Sequence, residues 1–136
     1  MIRHIPFNTL QKATADLLKQ GQDTPVYDNL PTGVIRMPYI YLGELSGSPG
    51  VQNKTEVIHQ IQQQIHVWSG QRGKEELSSI LDDVLILLTR YQLAMDGYVQ
   101  IGGAHAVAYQ TFMEAYADKT YAYHGILIVE YTIQQV

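Results

Sequence analysis

The stretch QIHVWSGQRGKEELSSIL, residues 64 to 81, sets Gly70, Gly73 and Lys74 between a candidate strand and a candidate helix. Glycines followed by a lysine can form a phosphate-binding loop, in which backbone N–H groups wrap the phosphates and the lysine reaches them. Such a loop needs four residues between its glycines and a Ser or Thr after the lysine to hold magnesium. Here the spacer is Gln71 and Arg72, and Glu75 follows Lys74. Glu75 and Glu76 also place two negative charges at the helix start, where they complement the helix dipole and repel a phosphate. These residues predict a strand-to-helix turn begun by Ser69 and Gly70, with no nucleotide bound from Gly70 to Lys74.

Histidines at positions 4, 59, 66, 105 and 124 suggest metal ligation, with Glu114 and Asp118 as possible oxygen donors. None is paired at i and i+4 on a helix, and His59 and His66 have opposite strand parity, so they should face opposite sides of a sheet. The spacing predicts ordinary surface or half-buried histidines. No Gly-x-Ser-x-Gly elbow occurs, and Ser78 and Ser79 fall on the candidate helix. Asp82 and Asp83 are adjacent on that helix and project about 100° apart, a poor arrangement for a carboxylate pair. The segment IGGAH lacks the third glycine and following helix of a dinucleotide fingerprint. The sequence therefore offers no catalytic residue, metal site or cofactor.

The elements that hold these residues are bounded first by composition. The 136 residues match the size of one domain, 1–136, able to bury a core without staples. With no cysteine, disulfides, thiolate metal sites and cysteine nucleophiles are excluded. No run approaches the roughly 18 apolar residues of a membrane span, so the expectation is a soluble chain with no membrane partner. Net charge is −4 and only 16% of residues are charged, with the few basic ones scattered, which argues against nucleic acid as the primary ligand. A low-charge surface rich in Tyr and Gln instead suits a protein interface.

Leu10, Ala13, Leu17 and Leu18 recur at helical spacing from Asn8 to about Gln20, and Gly21 supplies a stop. Prolines 25, 31 and 38 mark an extended crossover into a short strand, Tyr39 to Leu45, near a sheet edge. Ser46 to Lys54 is a Gly/Ser/Pro/Asn cluster and predicts an exposed loop with a mobile tip. From Glu56 to Trp68, Val57, Ile61, Ile65 and Val67 alternate with Gln60, Gln62, Gln64 and His66, the pattern of a half-buried strand with a glutamine face. Lys74 to Tyr91 predicts a second helix, with Leu77, Leu81, Val84 and Leu88 against the sheet. Two last β regions form a hairpin turning at about Ala117 to Thr120, and Gly102 and Gly103 weaken the first of them into a bulge or break. The fold class expected is α+β: a largely antiparallel sheet of about four strands with two helices packed on one face.

PYIYLGEL, the glutamine-rich strand running into IHVWSGQRGKEELSSILDDVLILL, and YAYHGILIVEYTI occur in an order and spacing that resemble the tail-completion, or tail-to-head joining, family of long-tailed bacteriophages and prophages. The matching positions are Pro38, Tyr39, Val67, Trp68, Ser69, Gly73, Glu76, His124 and Gly125, within a resemblance spanning roughly residues 8 to 133. Each of them also has a structural use, Trp68 and Val67 as packing and Gly73 as a turn. One departure is the tyrosine-rich last hairpin, where the family often carries charge.

The resemblance implies a tail terminator and not an enzyme: a small subunit of the virion tail, assembled in the host cytoplasm. It would form a homo-oligomeric ring, a hexamer matching the stacked hexameric tube, and would contact the major tail tube protein and the head connector or stopper protein. Low-charge patches that could carry the ring contacts include Ser48, Val51 and Asn53, then Gln60, Gln62 and Gln64, and finally Lys119 and Tyr121. The alternatives are another neck component, such as a head-completion or connector protein, or a small ligand-binding or hydrolytic domain using the histidines.

Overall fold

The computed structural model describes residues 3–52, 56–70 and 73–136. Helix α1 (Phe7–Gly21) opens with the Leu10 N–H donating to the Pro6 carbonyl at 2.9 Å. Its inward face is Leu10, Ala13, Thr14, Ala15 and Leu18; of the stripe expected from helical spacing, Leu10, Ala13 and Leu18 are buried and Leu17 is half-buried. The helix ends where Gln22 turns extended and its side-chain amide donates to the Leu18 carbonyl, replacing a lost backbone partner. The chain then passes through β1 (Val26–Tyr27) into β2 (Tyr39–Gln52) and returns as β3 (Val57–Ser69). After helix α2 (Lys74–Arg90) come β4 (Tyr98–Gln100), β5 (His105–Ala115) and β6 (Tyr121–Gln135).

The sheet runs β1-β2-β3-β6-β4, with β5 also pairing β6 beyond the short β4. Four long strands, β2, β3, β6 and β5, are antiparallel to their neighbours, as expected. The two additions are short: β1 joins β2 in parallel, making the sheet mixed, and β4 takes the last residues of β6. The break at Gly102 and Gly103 is present, since β4 and β5 are separated there and both lie along one side of β6.

Both helices cover one face. In β3 every odd residue from Val57 to Ser69 is buried against them and every even one is half-buried or exposed on the other side. The core between the layers holds Leu10, Leu18, Ile61, Ile65, Leu77, Val84, Leu88, Leu127, Tyr131 and Ile133. Burying a side chain of this size contributes about 1.5–3 kcal/mol relative to leaving it in water. Helix α2 lies close to β6 because Gly125 has no side chain; a Cβ there would sit 2.7 Å from Leu81 Cδ1.

One polar side chain belongs to this core. Gln63 is fully buried between Ile61 and Ile65 on the helix face of β3. Its amide donates to Thr14 Oγ1 at 3.1 Å and Gln11 Oε1 at 3.2 Å, and its carbonyl accepts the Tyr131 hydroxyl at 3.0 Å. Both ends of the amide are thereby satisfied, which a buried polar group requires.

Two expectations are corrected. Ser46 to Lys54 is not a loop up to its tip: residues through Gln52 continue β2, with Ser46 opposite Gln62 and Ser48 opposite Gln60. The Gly/Ser/Pro composition carries little strand preference of its own, but pairing with the long β3 imposes it, with irregularities between Leu42 and Leu45 and between Pro49 and Gln52. Asn53 and Lys54, at the tip, lie outside the described residues. The strand from Tyr39 is accordingly long, although it does lie near the edge, covered only by the two residues of β1.

The turn before α2 lies partly outside the described residues, at Gln71 and Arg72. What is described fits a turn: the Gly73 N–H faces the Gly70 carbonyl at 3.4 Å, and Gly73 has φ 89°, a conformation that favours glycine. Ser69 does not cap the helix backbone; its hydroxyl donates instead to Glu76 Oε1 at 2.6 Å, tying the end of β3 to the first turn of α2.

Candidate functional site

The face of the sheet away from the helices falls into two regions. At one end, β2, β3, β6 and β5 each contribute to a cluster of rings. Antiparallel pairing sets Trp68 opposite His124, with Tyr39 beyond Trp68 and Phe112 beyond His124. Trp68 stacks on His124 and Tyr39 on Trp68, while Phe112 meets His124 edge-on. Such offset and edge contacts add about 0.5–1.5 kcal/mol each beyond their buried area.

Through this cluster runs a hydrogen-bonded chain. His124 Nδ1 lies 3.0 Å from Glu114 Oε1, and His124 Nε2 lies 2.8 Å from His66 Nδ1. With Glu114 ionised, the His124 Nδ1–H donates to the carboxylate and Nε2 accepts from the His66 Nδ1–H. Burial, and then His124 beside it, hold the His66 pKa below its ordinary value, while Glu44 pulls the other way. The outer edge of the His66 ring lies over the Gly43 backbone, where a Cβ would come within 2.8 Å of Nε2. Burial, Tyr116 and Glu114 push the Tyr39 hydroxyl pKa up.

A carboxylate and two imidazoles in line form the orienting half of an acid–base site, but here His66 ends against backbone and the Tyr41 ring rather than a nucleophile. The 2.8 Å between the two nitrogens is a hydrogen-bond distance. Among the described residues no group of three or more ligand-type side chains is arranged around an ion. His59 and His66 do face opposite sides of β3, as their parity requires. The joining of His66 to His124 was not anticipated, because it depends on the pairing of strands 58 residues apart.

The other region is polar. Gln60, Gln62 and Gln64 alternate along β3, with Ser46 and Ser48 beside them on β2 and Glu130 and Thr132 on β6. The Thr132 hydroxyl donates to Gln60 Oε1 at 3.1 Å. His105 on β5 approaches Glu130 at 3.4 Å.

A profile of the tail completion protein gp17 family matches residues 11–131. The chain belongs to that family. No individually curated protein matches it. A chain from a solved structure described as the virion of a native gene transfer agent particle is similar in fold, with a TM-score of 0.76 at 17% identity. That match covers 97% of this chain and 99% of the other, and at such identity it is a likeness of fold.

As a tail completion family member, the chain is a tail structural protein and a virion component. No helix among the described residues is long and apolar enough to cross a membrane. The residues expected at a contact surface are separated along the strands of this family member. Ser48, Gln60 and Gln62 share one shallow depression near Glu130. Gln64 lies midway along β3, one pair from Ile65 opposite Leu42. Lys119, at φ 70°, and Tyr121 sit at the other end, in and just after the β5–β6 turn. Val51 is the penultimate residue of β2, and Asn53 lies outside the described residues.

Proposed function

We propose that the chain is a single tail-terminator domain that caps the tail tube as a homo-oligomeric ring and joins the tail to the head connector. The observation that carries this reading is the match to the tail completion family over residues 11–131. The fold likeness to a chain of a structure described as a gene transfer agent virion is consistent with it. A ring of six copies matches a tube of stacked hexameric rings, and cyclic closure through one heterologous contact stops growth after a single ring. The role is structural, not enzymatic, with the tube protein and the connector or stopper protein as partners and assembly in the host cytoplasm. Ser48, Val51, Asn53, Gln60, Gln62, Gln64, Lys119 and Tyr121 are the residues proposed for contacts in the assembly.

Complementation tests this directly. Particles lacking the gene should yield heads with unattached or overlong tails, and added protein should restore joining. Normal joined particles in its absence would end the reading. Defective heads with normal tails would place the protein elsewhere in the neck.

A further inference from the structure

The sheet has two bare edges. β5 pairs with β6 and with no other described strand. It contains no proline or lysine, residues that commonly blunt an edge, and its one irregularity lies between Ala106 and Ala108. Tyr109 and Met113 leave 75% and 57% of their surface exposed along it. On the opposite side β1 covers only Ile40 and Tyr41, and the Leu42 carbonyl accepts from Gln11 Nε2, so among the described residues no strand pairs with β2 from Gly43 to Gln52 on that side. Pro49 is the one residue in that stretch without an N–H.

The long strands alternate in direction across the sheet, in the order β2, β3, β6, β5. Because their number is even, rotation about an axis along the strands brings β5 of one copy antiparallel to β2 of the next. The same operation repeats around a closed ring, so every edge but none of the faces is consumed.

A second observation fixes where the edges meet. On the helix side of β2 is a cavity of about 240 Å³ lined by Ile5, Phe7, Gly47, Pro49, His59 and Ile61. His59 is 8% exposed, and its Nε2 is buried without a hydrogen-bond partner among the described residues. An unsatisfied buried polar atom costs about 1–3 kcal/mol, and an apolar cavity of about 150 Å³ already takes benzene. Tyr109 is the group suited to it: an exposed ring with a hydroxyl, on the helix side of its strand because it stands opposite Leu127. Tyr109, Leu127, Ile65 and Leu42 form one row across the sheet, whereas Gly47 stands opposite Ile61, four residues along β3. Strands of a closed barrel tilted near 36° are staggered by about one residue each, hence about four residues over four strands. Taken toward the bare end of β2, that stagger carries Tyr109 to Gly47.

We propose that β5 of one copy pairs antiparallel with Glu44–Gln52 of a second copy, seating Tyr109 over Gly47 in the cavity with its hydroxyl bonded to His59 Nε2. This rests on the ring reading above and names the contact that closes it. A Cβ at Gly47 would sit 2.6 Å from Ile61 Cδ1, so the incoming ring packs on Ile61 as well as on the edge glycine.

The chain has no cysteine, so a double variant Ser48→Cys with Ala108→Cys carries the only two thiols. The proposed pairing sets these residues opposite each other on the helix-free face. Within one copy they lie three strand spacings apart, about 14 Å and beyond disulfide reach. Tails assembled with the double variant, oxidised and run on a gel without reductant, should give a ladder of covalent multimers that neither single variant gives. Tyr109→Ala, at an exposed position, should weaken incorporation into tails at least tenfold, and Tyr109→Phe less. Ring-shaped caps whose subunits stay monomeric on the gel would overturn the edge contact and leave the ring standing. Tail-bound protein with no ring in electron micrographs would overturn both.

Discussion

The indole of Trp68 lies flat on the imidazole of His124, with ring centroids 3.8 Å apart and planes 12° from parallel. The stack joins β3 to β6 on the face the helices leave uncovered, and His124 carries it on to Glu114 of β5. His124→Ala removes the stacking partner and leaves both Glu114 and His66 without their bond. A loss of about 2–4 kcal/mol is expected from urea unfolding, in the range of a broken buried network. Trp68 is the sole tryptophan, so its emission should shift to the red in the same variant. Unchanged emission with unchanged stability would show the stack to be unimportant in solution.

Acid should weaken the fold through His66. Its pKa in the folded chain is held below the ordinary 6.5 by burial and by His124. As pH falls, the unfolded chain takes up the proton first, so the stabilising contribution is complete above about pH 6.5 and is lost as pH drops from there through the folded value. The urea midpoint should therefore fall between pH 7.5 and 5, and His66→Gln should flatten part of that fall. A midpoint that rises toward pH 5 would contradict the assignment.

Gly125→Ala should destabilise by about 1–3 kcal/mol, the usual cost of overpacking, since the new methyl meets Leu81 Cδ1 at 2.7 Å. Leu81→Ala in that background should recover part of the loss, although alone it removes core packing. Thermal midpoints of the two single variants and the double variant measure the coupling. Strict additivity would mean that α2 is free to move away from β6.

Tyr131→Phe leaves Gln63 with one acceptor unfilled and should cost about 1–2 kcal/mol. Gln63→Ala should cost more, because it strands the Tyr131 hydroxyl, which burial has already pushed far above its ordinary pKa. A double-mutant cycle between the two positions should give a coupling of about 1 kcal/mol or more, and a coupling near zero would show that water replaces the bond.

Where burial alone decides structure, the residue pattern is sufficient: the stripes of α1 and α2, the alternation of β3 and the final hairpin all follow from which side chains must leave water. The glycine break between β4 and β5 was legible for the related reason that Gly102 and Gly103 have nothing to pack. The outer half of β2 was not, because Ser46, Gly47, Ser48 and Pro49 are strand only by virtue of their partner, and partners are not written locally. β1 and β4, with two and three residues, are too short to show a period at all. The same limit hid the His66–His124 bond: each histidine reads as ordinary until β3 and β6 are laid side by side. Tyr109 and His59 lay in legible strands, but a free edge and an unpartnered nitrogen exist only in three dimensions.

Strand β3 carries glutamine at three consecutive positions, Gln62, Gln63 and Gln64, and the middle one is inside. Alternation of apolar and polar residues forbids a slip of β3 by one residue, which would turn Gln60, Gln62 and Gln64 inward. It opposes a slip by two less, because the odd-numbered residues would stay on the buried face. Gln63 breaks that degeneracy: two residues out of place, its amide would stay buried with neither Thr14 nor Tyr131 in reach. The apolar pattern selects the face, and one buried amide selects among the alignments that share it, much as a single mark sets the zero of an evenly ruled scale.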